Sequence, residues 1–214
     1  RRYYADDQRL EDDLVACYQA FIQDVYDAGC RNLQFDDCSW GLLVDPHAEQ
    51  FFGTDAAGIE RTKERFLQVN NRVLDARPEG LTINTHVCRG NFHSTWACEG
   101  GYDDVAGTLF AREHVDNFFL EFDDDRSGGF EPLAQVADGK KVVLGLVTTK
   151  SAQLEDCGQV VARIHEAERY LPLERLCLSP QCGFASCEIG NKLSEEQQWA
   201  KVALVRSIAE EVWG

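Results

Sequence analysis

Five times along this chain a short run of β-forming residues ends in ionisable side chains, and between these runs the apolar positions return at helical spacing. Alternation of strand and helix over a whole chain argues for an α/β fold with parallel strands. Helical periodicity covers residues 12–28, with Leu14, Val15, Tyr18, Phe21, Ile22 and Val25 on one face and Gly29 as the stop. The run 32–35 then delivers Asp36 and Asp37. A second helix over about 57–76 ends before Arg77-Pro78-Glu79-Gly80, and strand 81–85 delivers His86 and Cys88. A helix over about 103–114 precedes strand 117–120, which delivers Glu121. Strand 142–147 is followed by Lys150. Helix 154–170 leads to strand 176–179, and Cys182 lies just beyond it. Ser194 opens the last helix in a capping-box pattern.

Reactive groups at the ends of successive parallel strands are the layout of a (β/α)8 barrel, whose active site is assembled from loops at the C-terminal ends of its strands. The fold class predicted is thus α/β, a TIM-type barrel. Five strand-helix units in 214 residues leave about three short of the eight-fold count, and such barrels usually need about 250 residues. The chain opens on a helix-like segment, without an initiator Met and with no Met anywhere. Residues 1–214 are accordingly read as the C-terminal part of one barrel domain, the last five units, with the N-terminal units absent. A five-strand wall alone is expected to leave two open edges and an apolar inner face, to be covered by missing chain or another subunit.

Four of the strand-end residues, His86, Cys88, Glu121 and Cys182, form a set of ligand types suited to zinc: an imidazole, a carboxylate and two thiolates. His-x-Cys alone is a weak signal, and its placement at a strand end, where both side chains can turn to one side, strengthens it. Taken singly, Cys182 reads as a small buried apolar residue and Glu121 as part of a solvated acidic loop. Asp36 and Asp37 can equally be turn formers or helix caps. Arg126 either holds a substrate carboxylate or pairs with the aspartates before it. His47, His93, His114 and His165 show no partner pattern. Phe92 and Trp96 are assigned to packing ahead of walling a pocket.

Composition excludes several classes. With 44% hydrophobic and 27% charged residues the chain can bury one sizeable core. No apolar run nears the roughly 20 residues that cross a bilayer, so no membrane partner is predicted. A net charge of −16 and a pI of about 4.6 repel phosphate backbones, which excludes nucleic acid as an expected partner. Nine cysteines without the dense spacing of a disulfide scaffold fit a reduced, cytoplasmic protein.

Three motifs, Thr85-His86-Val87-Cys88-Arg89-Gly90-Asn91-Phe92, Leu120-Glu121 with Arg126-Ser127, and Ser179-Pro180-Gln181-Cys182-Gly183-Phe184, resemble the C-terminal catalytic barrel of cobalamin-independent methionine synthase, most closely its shorter single-barrel relatives. The resemblance runs over essentially the whole chain. It implies that His86, Cys88, Glu121 and Cys182 are zinc ligands, that Asp36 binds the amino group of homocysteine, and that the chain spans the fourth to eighth barrel strands. It also implies methyl transfer from 5-methyltetrahydrofolate to a thiol such as homocysteine, giving methionine. In the family a histidine after the seventh strand serves as the acid that the folate leaving group needs; here the matching stretch is Val147-Thr148-Thr149-Lys150-Ser151. Lys150 is therefore the candidate for either the acid or a substrate-carboxylate ligand, ahead of a surface lysine. Two other readings stand beside this one: a non-catalytic protein with a structural zinc site, and a related zinc enzyme alkylating a different thiol.

Overall fold

The computed structural model describes residues 3–185 and 187–214. Its frame is one sheet of five parallel strands whose spatial order is their chain order, β1 (Asn32–Asp36), β2 (Thr82–Val87), β3 (Asn117–Glu121), β4 (Lys141–Val147) and β5 (Leu176–Pro180). Every strand predicted from the sequence is present, displaced by at most two residues at an end. Four long helices accompany them: α1 (Asp7–Asp27), α4 (Ala56–Leu74), α7 (Cys157–Ala167) and α8 (Glu195–Trp213). Each begins on an oxygen-bearing cap, Asp6, Asp55, Asp156 and Ser194, that accepts a backbone N–H otherwise left without a partner. The capping box at Ser194 is closed by Gln197, not by either glutamate before it.

Three helical expectations are corrected. The loop after β1 contains two helices that the sequence reading left out, α2 (Cys38–Leu43) and α3 (Ala48–Phe52), each too short to display a helical period. The segment 103–114 is not one helix but two single turns, α5 (Asp103–Ala106) and α6 (Leu109–Arg112), interrupted at Gly107 and Thr108. The helix placed at 154–170 occupies only its central part, because Asp156 caps it late and Pro172 follows its end.

Strand alternation gives the sheet two unlike faces. Ile83, Val87, Phe118, Leu120, Val142, Leu144 and Leu146 point outward and share one core with Val15 and Ile22 of α1, Ile59 and Leu67 of α4, Ile164 of α7 and Ile208 of α8. The opposite face is mixed and only in part the apolar inner face predicted: Phe119, Val143 and Val147 lie on it beside the polar residues of β1, β2 and β3. Asn117 Nδ2 donates to Asn84 Oδ1, and Asn84 Nδ2 to Asn32 Oδ1, each at 2.6 Å, a ladder across three strands. Towards the C-terminal ends of the same strands this face carries Asp36, His86 and Glu121. In parallel register Asp36 lies opposite His86.

Candidate metal centre

β2 and β3 place two of the four predicted ligands within strands, not after them. His86 is the fifth residue of β2 and Glu121 the last of β3. His86 and Cys88 share a side because they are two residues apart, as alternation requires. Cys88 follows β2 directly, and Cys182 lies two residues beyond β5. One ligand atom from each of His86, Cys88, Glu121 and Cys182 falls within 4.8 Å of every other.

The donor geometry suits zinc. The Cys88 and Cys182 sulfurs are 3.8 Å apart, and two thiolates at about 2.3 Å on a tetrahedral ion are separated by about 3.8 Å. His86 Nδ1 lies 3.2 Å from the Phe119 carbonyl, which can only accept, so Nδ1 carries the proton and Nε2 keeps its lone pair. That Nε2 is buried with no hydrogen-bond partner and lies 3.9 Å from Glu121 Oε1. An orphaned imidazole nitrogen beside two sulfurs and a carboxylate is what a bound cation resolves.

A shell of other residues orients the carboxylate. Glu121, fully buried, accepts the Arg89 backbone N–H at Oε1 (2.9 Å) and an Arg126 guanidinium N–H at Oε2 (3.1 Å). The Tyr102 hydroxyl accepts the Glu121 backbone N–H at 3.0 Å. The Arg89 side chain, itself fully buried, stacks on the Tyr102 ring at 4.5 Å. Arg126 also pairs with Asp123 at 2.7 Å and with Asp124, and its side chain is only 5% exposed. Of the two roles open to Arg126, ion pairing is the one observed, though the pairs with Glu121 and Asp123 are buried.

Charge is unevenly shared among the donors. The Cys88 thiol is pulled down to about 4, first by the Cys182 S–H hydrogen bond and further by His86 and the Gly90 N–H. Cys182 moves up for the same reason, so the two sulfurs hold one proton between them. Burial raises the Glu121 carboxyl, the Arg89 N–H and the Lys150 charge opposing it. For His86 burial works downward, but Cys88, Glu121 and Asp36 outweigh it and the imidazole is raised.

Lys150 stands on this side of the sheet: its Nζ approaches Asn91 Oδ1 at 3.4 Å, and its charge is felt at Glu121. Asp36 is exposed as a residue and lies within 4.8 Å of Cys38 and Cys88, its carboxyl raised by partial desolvation and by Cys88. Asp37 caps α2 through the Ser39 N–H and accepts from Asn70, the helix-cap reading. His47, His114 and His165 sit on the neighbouring carboxylates Asp45, Asp75 and Glu168. Phe92 and Trp96 are not packed away: they are 59% and 48% exposed, and Trp96 offers its ring to Arg126.

Several residues that the sequence reading gave no role tie the loops together. Gln181 Oε1 accepts from both the backbone N–H and the hydroxyl of Thr149, and Asn91 Nδ2 donates to the Gly183 carbonyl. These links join the loops after β2, β4 and β5. Gly145 permits the approach, since a Cβ there would meet Gln181 Cα at 2.6 Å and the Leu120 carbonyl at 2.8 Å. Asn91 and Gln181 lie inside two of the motifs, but sequence spacing carries no sign of which loop each would reach.

Comparison with known proteins agrees with this architecture. Residues 3–210 match the family described as cobalamin-independent synthase, catalytic domain. The chain is 47% identical over 212 residues to uncharacterized protein YxjG of Bacillus subtilis (strain 168), covering 99% of this chain and 56% of that protein. It superposes with a TM-score of 0.79 and 35% identity on the structure of the putative vitamin-B12 independent methionine synthase from Listeria monocytogenes, over 100% of this chain and 58% of that one. A B12-independent methionine synthase from Shewanella sp. W3-18-1, solved with selenomethionine, shares the fold at a TM-score of 0.69 and 18% identity, over 98% of this chain and 56% of that one. The chain thus spans little more than half the length of these relatives.

Proposed function

Because the chain belongs to the cobalamin-independent synthase catalytic-domain family and forms part of its TIM-type barrel, we propose that it is the metal-binding part of a zinc-dependent methyltransferase that alkylates a small-molecule thiol. The observation that carries this reading is the convergence of His86, Cys88, Glu121 and Cys182 from three strands. In the proposal His86 holds zinc through Nε2, Cys88 and Cys182 through sulfur, and Glu121 through a carboxylate oxygen. Zinc bound there would keep a substrate thiol deprotonated at neutral pH, where a free thiol with a pKa of about 8.5 is mostly protonated. Homocysteine is the proposed acceptor and a 5-methyltetrahydrofolate-type molecule the proposed donor. The rest of the barrel, from further chain or another subunit, would complete the site.

Four protein donors already fill a tetrahedron, so one must yield for a substrate sulfur to enter. Glu121 is the proposed one, since oxygen is the weaker partner for this metal and Oε2 already rests on Arg126. Asp36 is proposed to receive the substrate's amino group and Lys150 its carboxylate. The opposite charges of the two side chains would then orient an amino acid between them.

Zinc X-ray absorption on the full-length protein, with and without homocysteine, tests the reading. A new zinc–sulfur contact on adding thiol is expected; an unchanged shell would favour the competing reading, a structural zinc site. Transfer assays with several methyl donors then identify the donor. Lys150→Ala should raise KM for the thiol more than it lowers kcat, the mark of binding shared by ground and transition states. A fall in kcat with a shifted alkaline limb would make Lys150 the acid instead.

A further inference from the structure

Beside the inner quartet lies a second group of metal-ligand side chains, of which Cys38 has no part in the proposed reaction. Asp36, Cys38 and Cys88 also hold one ligand atom each within 4.8 Å of the others, and Cys88 belongs to both groups. The arrangement is built by backbone structure. Asp36 ends β1 opposite His86, and the Asp37 N–H donates to the His86 carbonyl at 2.8 Å, which fixes the chain as it leaves the sheet. Cys38 begins α2, capped by the Asp37 carboxylate. Gly41 lets that helix rest on the chain at Cys88: a Cβ there would come within 2.4 Å of the Cys88 carbonyl oxygen. Helix docking therefore sets the Cys38 sulfur against the Cys88 sulfur.

We propose that Asp36, Cys38 and Cys88 form an outer position for a thiophilic divalent cation, which shares the Cys88 sulfur with the inner quartet. Two sulfurs and one carboxylate oxygen suit a borderline-soft ion and leave coordination positions open to water. A thiolate has lone pairs enough to bridge two cations. Asp36 and Cys38 are exposed whereas His86, Cys88 and Glu121 are buried, so an ion arriving from solvent meets the outer position first. The net charge of −16 favours that arrival. An ion held there occupies Asp36, the group proposed to take the substrate's amino end, so excess metal would exclude substrate.

This inference rests on the quartet being a metal site, and cadmium counting separates the two. The reduced, chelator-treated full-length protein is titrated with cadmium(II), followed by the thiolate-to-cadmium charge-transfer band and by elemental analysis after desalting. About two ions per chain are expected for the parent and about one for Cys38→Ser, with the second ion weakened more than about tenfold in Asp36→Asn. Matching circular dichroism and melting of each variant shows that the fold is kept. A parent that binds one ion, unaffected by Cys38→Ser, overturns the outer position and leaves the quartet standing. Two ions persisting in Cys38→Ser also overturns it, because the second then sits on other cysteines. No tight ion in the parent removes the quartet reading itself.

Discussion

The two faces of this sheet are made by the same strands and obey opposite rules. Outward, Ile83, Phe118, Leu120, Val142 and Leu144 are all but inaccessible to water and packed under four helices. Inward, β1, β2 and β3 carry asparagine towards one end and Asp36, His86 or Glu121 towards the other, while β4 turns Val143 and Val147 to this face. In a parallel sheet covered on both sides each strand reads as an apolar run. Here β2 reads Thr-Ile-Asn-Thr-His-Val, and its period of two already separates the face that holds the fold from the face that holds the chemistry. Stability and function are thus distributed by residue parity, and substitutions on the two faces should fail in different ways.

The largest effect is expected outward. Phe118→Ala deletes a ring packed 5.2 Å from that of Phe110 and should cost about 3–5 kcal/mol in denaturant unfolding. If it cost less than the inner-face changes, the division would be wrong. Glu113 sharpens the comparison, as a polar group on the outer side. It is buried, accepts from Asn70 at 2.8 Å, and burial raises its carboxyl to about 8. The folded state therefore keeps a proton that the unfolded chain loses near 4.5, and this contribution is full below that pH and disappears as pH rises through about 8. Between pH 5 and 9 the parent should lose on the order of 3 kcal/mol relative to Glu113→Gln, which stays neutral. Parallel stability curves for the two proteins would contradict that.

Inward substitutions should spare the fold. Cys182→Ser is expected to weaken zinc binding more than about a hundredfold in chelator competition. Melting of the metal-free protein should scarcely move. The smallest effect belongs to the ladder: Asn84→Ala breaks three hydrogen bonds, to Asn32, the Leu33 carbonyl and Asn117, yet Asn32 is open to water, so about 1 kcal/mol is lost. A cost comparable to that of Phe118→Ala would mean that the inner face also holds the sheet together.

The outward face was the legible one. Short apolar runs between helical segments located all five strands, and the cap at Ser194 marked a helix start, whereas the cap at Asp55 went unread. The four candidate ligands could be picked out because His, Cys and Glu at strand ends are informative by type. Their support could not. Arg89, Tyr102 and Gln181 act through loop paths and through contacts that link residues 19 to 32 positions apart. Arg126 stayed open between a substrate ligand and an ion pair, because the acidic run Asp123, Asp124 and Asp125 before it gives no sign that its pairs would be buried. α2 and α3 escaped because five or six residues complete fewer than two turns.

Strand order has a consequence for how the molecule comes together. Sheet neighbours are also chain neighbours, and each pairing closes a loop of modest length. Asn117 meets Lys141, 24 residues on, whereas Asn32 must find Thr82 across 50. Closure entropy grows slowly with loop length, about 0.6 kcal/mol per doubling, so β3 and β4 are only slightly favoured to join first. The four ligands, by contrast, come from β2, β3 and the loop after β5, so no single pairing event gathers them. Metal capture should therefore be a late event in folding, and its rate in refolding experiments should report the docking of the last strand.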